Sequence, residues 1–240
     1  MNFKNTILKQ IEGGLIVSCQ AREGQPFNRP DLLALMAVAA SLGGAAGIRA
    51  DLPENIKAIK SKIVLPMIGI YKRRIPGRKI YITPTYEDAV AVIEAGAEII
   101  GIECTFRDNR KDELISMVSN LRKNYPNLLL ADVSTFDEAL FAQDIGFDMV
   151  ATTLIGYTEY TANKISFDYS TLGKMTRFLK VPVIAEGHIR KPEEAVRAIK
   201  YGAFAVVVGK TITMPSEITR WFVDEIRKVS RTTSEERYKK

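Results

Sequence analysis

Eight short apolar runs, each followed by a longer segment with apolar residues at helical spacing, constrain the fold of this chain more than any other feature. The runs are nearly continuous in apolar residues rather than alternating, which is typical of parallel strands covered on both faces. Eight such units predict an α/β protein, a (β/α)₈ TIM barrel with a single domain. The candidate strands are Leu15 to Cys19, Ala45 to Ala50, Met67 to Tyr71, Ile99 to Glu103, Leu128 to Val133, Met149 to Thr153, Val183 to Gly187 and Ala205 to Gly209.

The predicted helices begin and end with clear signals. Acidic residues follow Thr85, Thr135 and Lys191, where the dipole of a first helical turn favours them. An open doubly wound sheet also alternates strands and helices, but it usually shows a GxGxxG turn after its first strand, which is missing after Gln20. The closed barrel is therefore favoured. Glycines that suit left-handed helix caps precede three of the strands: Gly96, Gly146 and Gly202.

The 240 residues, 46% of them hydrophobic, suffice for one large core, and no linker or change in composition divides them. We expect a barrel domain over residues 1–229 and a charged C-terminal tail over 230–240. No apolar run approaches the roughly 18 residues that span a bilayer, and the start lacks a secretory signal, so we expect a cytoplasmic protein without a membrane partner. Cys19 and Cys104 are too few for a disulfide framework and lie in no zinc-binding pattern, so no metal is expected.

The formal net charge of +6 is concentrated at one end of the chain. Residues 220–240 hold seven basic and four acidic residues, which accounts for half of the excess. Aromatic residues are not interleaved with the basic ones as a stacking platform for nucleic acid requires, so a small anionic substrate is the favoured partner. Trp221 and Phe222 in the last predicted helix are consistent with a homodimer, or with packing of this helix against the barrel.

Polar residues stand at the ends of most predicted strands. In such barrels the chemistry takes place at the C-terminal ends of the strands. Charged groups in a partly enclosed site are costly unless they are paired or used, so this set predicts a site rather than only contacts with loops. Its members are Gln20, Arg49, Lys72, Glu103, Asp132, Thr152, Thr153 and Glu186.

Lys72 and Glu186 are the candidate acid–base groups. Lys72 follows an apolar strand and is expected near Arg49, and both effects lower the pKa of an amine towards the range useful for a base. Glu186 ends another apolar strand, so its carboxylate is placed to shuttle a proton. Glycines after the seventh and eighth strands, Gly187 and Gly209, predict that backbone N–H groups hold a phosphate there.

His188 and Lys210 follow these two glycines and complete the predicted phosphate site.

Several longer motifs resemble those of the N-acetylmannosamine-6-phosphate 2-epimerase family, and the resemblance runs from about Gly14 to Phe222. The motifs are Leu15-Ile-Val-Ser-Cys-Gln-Ala21, Gly43-Gly-Ala-Ala-Gly-Ile-Arg-Ala50, Ile68-Gly-Ile-Tyr-Lys-Arg73, Tyr81-Ile-Thr-Pro-Thr85, Ala131-Asp-Val-Ser-Thr135, Thr152-Thr-Leu-Ile-Gly-Tyr-Thr158 and Val183-Ile-Ala-Glu-Gly187.

The resemblance implies a cofactor-free isomerase that converts N-acetylmannosamine 6-phosphate to N-acetylglucosamine 6-phosphate through an enolate, in amino-sugar or sialic-acid catabolism. It implies that Lys72 is the acid/base at C2 and that Glu186 assists proton transfer or ring opening. It implies further that the substrate is bound by Gln20, Arg49, Asp132, Thr153 and Tyr157, and its phosphate by Gly187, His188, Gly209 and Lys210.

Three positions depart from the family's usual residues. His188 and Met214 stand where the family usually has arginine, and Glu103 begins a segment that usually starts with aspartate. The loss of two cations leaves Lys210 and Arg190 as candidate replacements. Two alternatives stay open at this point: another aldose-phosphate isomerase or lyase on a phosphate-binding barrel, and a barrel that binds a sugar phosphate without catalysis.

Overall fold

The structure, a computed structural model, describes residues 3–21 and 23–237. Eight parallel strands pair in chain order and close into a barrel, which confirms the predicted (β/α)₈ TIM barrel and rules out the open sheet. The strands are β1 (Leu15–Cys19), β2 (Gly47–Asp51), β3 (Met67–Ile70), β4 (Ile99–Glu103), β5 (Leu128–Asp132), β6 (Met149–Ala151), β7 (Val183–Glu186) and β8 (Ala205–Val208).

Helices surround the barrel, and α1 contributes Ile7 and Ile11 to the apolar interior next to Ile16 at the start of β1. This helix therefore covers the N-terminal end of the barrel. The described helices are α1 (Phe3–Ile11), α2 (Pro30–Leu42), α3 (Pro53–Lys60), α4 (Tyr86–Glu94), α5 (Lys111–Asn124), α6 (Phe136–Asp144), α7 (Tyr169–Phe178), α8 (Pro192–Lys200), α9 (Lys210–Thr213) and α10 (Pro215–Arg237), with a short 3₁₀ segment at Arg107–Asn109.

Side chains alternate along each strand between two apolar layers. Ile48 and Ala50 belong to the layer between strands and helices, whereas Ile68 and Leu130 fill the barrel interior. The interior positions continue to the ends of the strands, so Asp132, two residues after Leu130, follows the same face. This alternation directs the polar residues at the strand ends into the C-terminal mouth.

The predicted helix signals are confirmed. Thr85 and Thr135 each form a capping box, in which the threonine hydroxyl accepts a backbone N–H and an acidic side chain accepts the N–H of the threonine. The glycines before β4, β6 and β8 have φ of 102°, 101° and 90°, in the left-handed region expected of a helix cap.

Six of the predicted strands differ from the observed ones at their ends, four of them by a single residue, and the second and the sixth by up to two residues. The second strand begins two residues later than predicted and includes Asp51. The sixth strand ends at Ala151. The N–H of Thr152 still donates to the carbonyl oxygen of Ile184, but the Thr152 hydroxyl then exchanges hydrogen bonds with the backbone of Glu186, and the Thr153 hydroxyl bonds to Asp132. The differences at the second and the sixth strand both bear on the residues of the mouth.

The last helix, α10, continues through Arg237, so the predicted tail of residues 230–240 begins inside this helix. Residues 238–240 lie outside the described part of the chain, and the division into barrel and tail stays a prediction. Among residues 3–21 and 23–237, no helix is long and apolar enough to cross a bilayer.

Candidate active site

A cavity of about 970 Å³ opens at the C-terminal ends of the strands. Ten of the eleven predicted site residues line it, and Asp132 lies directly behind the cavity wall, bonded to Arg49. The barrel therefore brings together residues from strands that are far apart in sequence. The ten lining residues are Gln20, Arg49, Lys72, Thr153, Tyr157, Glu186, Gly187, His188, Gly209 and Lys210.

Arg49 is the centre of a buried ionic network. Its guanidinium donates two hydrogen bonds to the Asp132 carboxylate, at 2.9 and 2.6 Å, and a third bond to Glu186 on β7. Burial disfavours the charge of Arg49, but the two carboxylates outweigh this effect and raise the pKa of Arg49. Arg49 is only 1% exposed, so its fixed charge is shielded from water although the mouth above it is open to solvent.

Gly101 on β4 makes room for this network. A methyl group at this position would lie 2.6 Å from the Ile70 side chain and 3.4 Å from the Asp132 carboxylate. A side chain here would therefore displace Ile70 and pack directly against the Arg49–Asp132 pair. The Thr153 hydroxyl bonds to Asp132 and lies 3.2 Å from Glu186, so it holds the two acids in one arrangement.

Lys72 follows β3, and its ammonium group donates a hydrogen bond to the side-chain oxygen of Gln20. The amide nitrogen of Gln20 in turn donates to the Ser18 hydroxyl at 2.8 Å. The sequence placed both residues at the mouth, and the structure adds this direct contact between them. Because the amide of Gln20 is neutral, it orients the amine of Lys72 without fixing the charge of that amine.

Lys72 lines the mouth, and the surrounding protein buries its amine although part of the residue is exposed to the open cavity. Burial of the amine lowers the pKa of Lys72; Asp51 opposes this change and Arg49 adds to it. The two causes predicted from the sequence, burial and Arg49, are both present. The lowered pKa increases the fraction of neutral amine, which is the form that can accept a proton.

Burial also raises the pKa of Glu186, against the pull of Arg49, and repulsion from Asp132 adds to the rise. Glu186 stands on β7 and Lys72 follows β3, four strands away in a closed ring of eight. The two groups thus face each other from opposite walls of the mouth. A ligand lying across the mouth would meet an amine on one side and a carboxyl group on the other.

His188 and Tyr157 form a stacked pair at one side of the mouth, with ring centroids 4.8 Å apart. The His188 Nε2 atom lies 3.2 Å from the carbonyl oxygen of Ile155, which can only accept a hydrogen bond, so this nitrogen carries the proton. Burial lowers the pKa of His188, and the cations Arg190 and Lys210 add to the effect. The neutral ring therefore offers no free donor to a phosphate, and only the backbone of His188 can serve as predicted.

The predicted phosphate end of the mouth lies between the ends of β7 and β8. Gly187 has φ of 98°, which lets the chain turn back towards the cavity. The first N–H groups of α9, at Lys210 and Thr211, have no acceptor within this helix. Arg190 lies with its guanidinium 5.7 Å from the Trp221 ring, and both residues line the cavity. Arg190 and Lys210 thus supply positive charge at this end of the mouth.

The structure adds one residue that the sequence reasoning missed and moves another out of the site. Asp51 lines the mouth and accepts the backbone N–H of Lys72 at 2.7 Å. Glu103 is fully buried and pairs with Arg107; it also accepts the backbone N–H groups of Tyr81 and Ile82. Its carboxylate holds a loop and does not line the mouth, so its inclusion among the strand-end candidates was wrong.

Within residues 3–21 and 23–237, no group of three or more His, Cys, Asp or Glu side chains is arranged to hold a metal ion.

The fold and the mouth together define a (β/α)₈-barrel enzyme in which a lysine and a carboxyl group face each other across the C-terminal end of the barrel. Residues 33–228 match the protein family described as "Putative N-acetylmannosamine-6-phosphate epimerase". The chain belongs to this family, as the resemblance of its motifs implies.

Individual relatives are similar in sequence to this protein along nearly its whole chain. A protein from Caldanaerobacter subterraneus described as "Putative N-acetylmannosamine-6-phosphate 2-epimerase" is 47% identical, over 92% of this chain and 94% of its own. A relative from Listeria monocytogenes with the same description is 42% identical, over 94% and 99%. The solved structure of the N-acetylmannosamine-6-phosphate 2-epimerase from Clostridium perfringens superposes with a TM-score of 0.86 and 39% identity, covering 90% of this chain and 95% of that one.

Proposed function

We propose that this protein is an N-acetylmannosamine-6-phosphate 2-epimerase, which interconverts N-acetylmannosamine 6-phosphate and N-acetylglucosamine 6-phosphate. Family membership supports the substrate, and relatives described by this activity match more than nine-tenths of the chain. We favour this activity over the two alternatives, another isomerase or lyase with the same fold and a barrel that binds a sugar phosphate without catalysis. The small anionic sugar is the partner that fits the positive end of the mouth.

The reaction inverts C2 of an open-chain aldose, so a proton leaves C2 next to the C1 carbonyl and another arrives on the opposite face of an enolate. The observation that carries the proposal is the placement of Lys72 and Glu186 on opposite walls of the mouth. The pKa of Lys72 is lowered and that of Glu186 is raised, so both pKa values move towards neutral pH, where each group can both accept and donate a proton. In this proposal Lys72 acts at C2, and Glu186 assists the proton transfer or opens the sugar ring.

The remaining residues bind and polarise the substrate. Arg49 presents a fixed positive charge near Glu186, which stabilises negative charge that develops on the substrate oxygens. Gln20 orients the Lys72 amine, and Thr153 and Asp132 hold Arg49 in place. Backbone N–H groups after β7 and β8 hold the phosphate, and Tyr157 forms the wall beside them. No cofactor takes part in this scheme.

Incubation with N-acetylmannosamine 6-phosphate in deuterated water is expected to place deuterium at C2 of both sugar phosphates. When the enolate forms, the substrate transfers its C2 hydrogen to a side chain in a mouth that is open to solvent, where that hydrogen exchanges with deuterium before C2 is protonated again. The loss of the C2 proton signal, followed by NMR alongside product formation, measures this exchange. Product that keeps all of its original C2 hydrogen would contradict free exchange at the acid–base group.

Met214→Arg is expected to lower KM for the sugar phosphate about tenfold, the effect of about 1.5 kcal/mol from a charge-assisted hydrogen bond. Met214 lines the cavity directly after α9, so an arginine here could reach the phosphate. Met214→Leu, which adds no charge, should leave KM unchanged. If the unmodified protein instead turns over unphosphorylated N-acetylmannosamine equally well, the phosphate assignment is wrong.

We also propose that the protein forms a homodimer. Phe222 on α10 is 67% exposed and provides an apolar surface, whereas Trp221 is partly buried against Arg190 at the mouth. Of the two residues that the sequence suggested for a dimer interface, only Phe222 is therefore exposed enough to contribute to one. The mass of the protein in solution, measured by light scattering, decides between monomer and dimer.

A further inference from the structure

Asp51 occupies a defined position beside Lys72. It is the last residue of β2 and comes two residues after Arg49, so both side chains follow the interior face of the barrel. Its carboxylate oxygen Oδ1 accepts the backbone N–H of Lys72 at 2.7 Å. This bond ties the end of β2 to the residue that follows β3, and it fixes the point from which the lysine side chain enters the mouth.

The charged groups that face Lys72 come from three strands, and Gln20 on β1 adds a neutral acceptor. From β2 come Arg49 and Asp51, from β5 Asp132 and from β7 Glu186. Arg49 already pairs with both Asp132 and Glu186, so these three charges largely balance one another. Asp51 forms no ion pair within 4 Å among the described residues, and of all these charges it acts on Lys72 most strongly.

A base for this reaction must also hold the proton that it removes. Burial and Arg49 both favour the neutral amine of Lys72, which helps it to accept a proton but weakens its hold on that proton. A negative charge at Asp51 opposes both effects and stabilises the ammonium form. Burial in turn raises the pKa of Asp51, and the charge of Lys72 counteracts that rise, so each group supports the charged form of the other.

We infer that Asp51 is a positioning residue for Lys72, which fixes the lysine through its backbone N–H and keeps its amine basic enough to hold the transferred proton. The catalytic half of this inference rests on the proposed function, because it concerns the proton at C2. The half that concerns the amine of Lys72 is independent of the substrate and can be measured without turnover.

Asp51→Asn removes the charge but keeps an oxygen that can accept the Lys72 N–H. Without the negative charge the ammonium form of Lys72 is less stable, so its pKa falls and the acidic limb of the kcat/KM profile moves to lower pH, by about one unit. Asp51→Ala, which also loses the hydrogen bond, should show the same shift and a larger drop in kcat. Asp51→Glu restores the charge and should bring the limb back towards its original pH.

Asp108→Asn is the matched control. Asp108 also accepts backbone N–H groups of a loop, those of Lys79 at 2.9 Å and Ile80 at 3.2 Å, but it does not line the mouth. Its substitution removes the same charge at the same end of the barrel, so it should leave the pH profile unchanged. An equal shift in both variants would show a general effect of net charge and would overturn the inference.

A second measurement determines the pH at which the Lys72 amine loses its proton. Labelling with a trace of acetic anhydride at a series of pH values, followed by mass spectrometry of the peptide that contains Lys72, gives the midpoint at which the amine becomes reactive. This midpoint should fall by about one pH unit in Asp51→Asn and stay unchanged in Asp108→Asn. An unchanged midpoint in Asp51→Asn overturns the inference, whatever the turnover. If the unmodified protein fails to epimerise the sugar phosphate, the proposed function fails while the labelling still decides the role of Asp51.

Discussion

Replacing Lys72 by methionine is expected to reduce kcat by about 10⁴-fold, the upper range of general acid–base catalysis, while the barrel stays folded. Methionine keeps much of the length of the side chain but has no group that can take or return a proton. Lys72 lies after the end of β3, and its side chain contributes one hydrogen bond, to Gln20, so its loss removes little packing. Turnover of N-acetylmannosamine 6-phosphate measures kcat, and urea unfolding measures stability.

Lys79→Met provides the control for this prediction. Lys79 lies in the same segment between β3 and α4, is 63% exposed in its side chain and pairs with Glu159 outside the mouth. Its substitution removes an equal charge and should leave kcat unchanged. Near-normal turnover in Lys72→Met would remove this lysine from the mechanism. A large loss of stability in the same variant would instead assign it a structural role.

Much of the fold could be predicted from the sequence because its signals are local. A run such as Ile99 to Ile102 is apolar on both faces, and the capping boxes at Thr85 and Thr135 lie within four residues of chain. The predicted strands lie within two residues of the observed ones at each end. The error at the end of β6 falls where side chains take over from the strand ladder, as the hydroxyls of Thr152 and Thr153 do, which no local pattern records.

The site could be predicted as a set of residues but not as a set of contacts. Position at the end of a strand was enough to find Lys72 and Glu186, since every parallel strand of a barrel ends at the same face. The pairing of Arg49 with Glu186 joins two residues 137 positions apart in sequence, and Gly101, on a third strand, leaves room beside Arg49 and Asp132. Only the closed barrel reveals these distances.

Asp51 and Glu103 show the two ways in which the position of a strand end misleads. Asp51 was missed because the predicted strand ended at Ala50; an alternation count from Arg49 would have placed it on the interior face. Glu103 stands on the interior face as well, but Arg107 in the 3₁₀ segment folds back and pairs with it. A neighbouring cation four residues along the chain was the available signal that this carboxylate is used locally.

Replacing Arg49 by methionine is expected to destabilise the protein by about 3–5 kcal/mol, because it leaves the carboxylates of Asp132 and Glu186 buried without a cation. Burial already raises the pKa of Glu186 against the pull of Arg49, and without Arg49 that rise is larger. The folded-state pKa of Glu186 then lies further above its unfolded value, so the variant should be least destabilised at acidic pH and lose stability as the pH rises through that range. Urea midpoints at a series of pH values measure this trend.

The double variant Arg49→Met with Asp132→Asn tests whether the cost comes from the unpaired charge rather than from lost packing. Removing one of the two stranded carboxylates should return part of the stability, so the double variant should be more stable at neutral pH than Arg49→Met alone. If the asparagine instead adds its own cost, or if Arg49→Met costs less than about 1 kcal/mol, the ionic network is not what holds this end of the barrel. Turnover should stay abolished in both variants, since neither restores a positive charge beside Glu186.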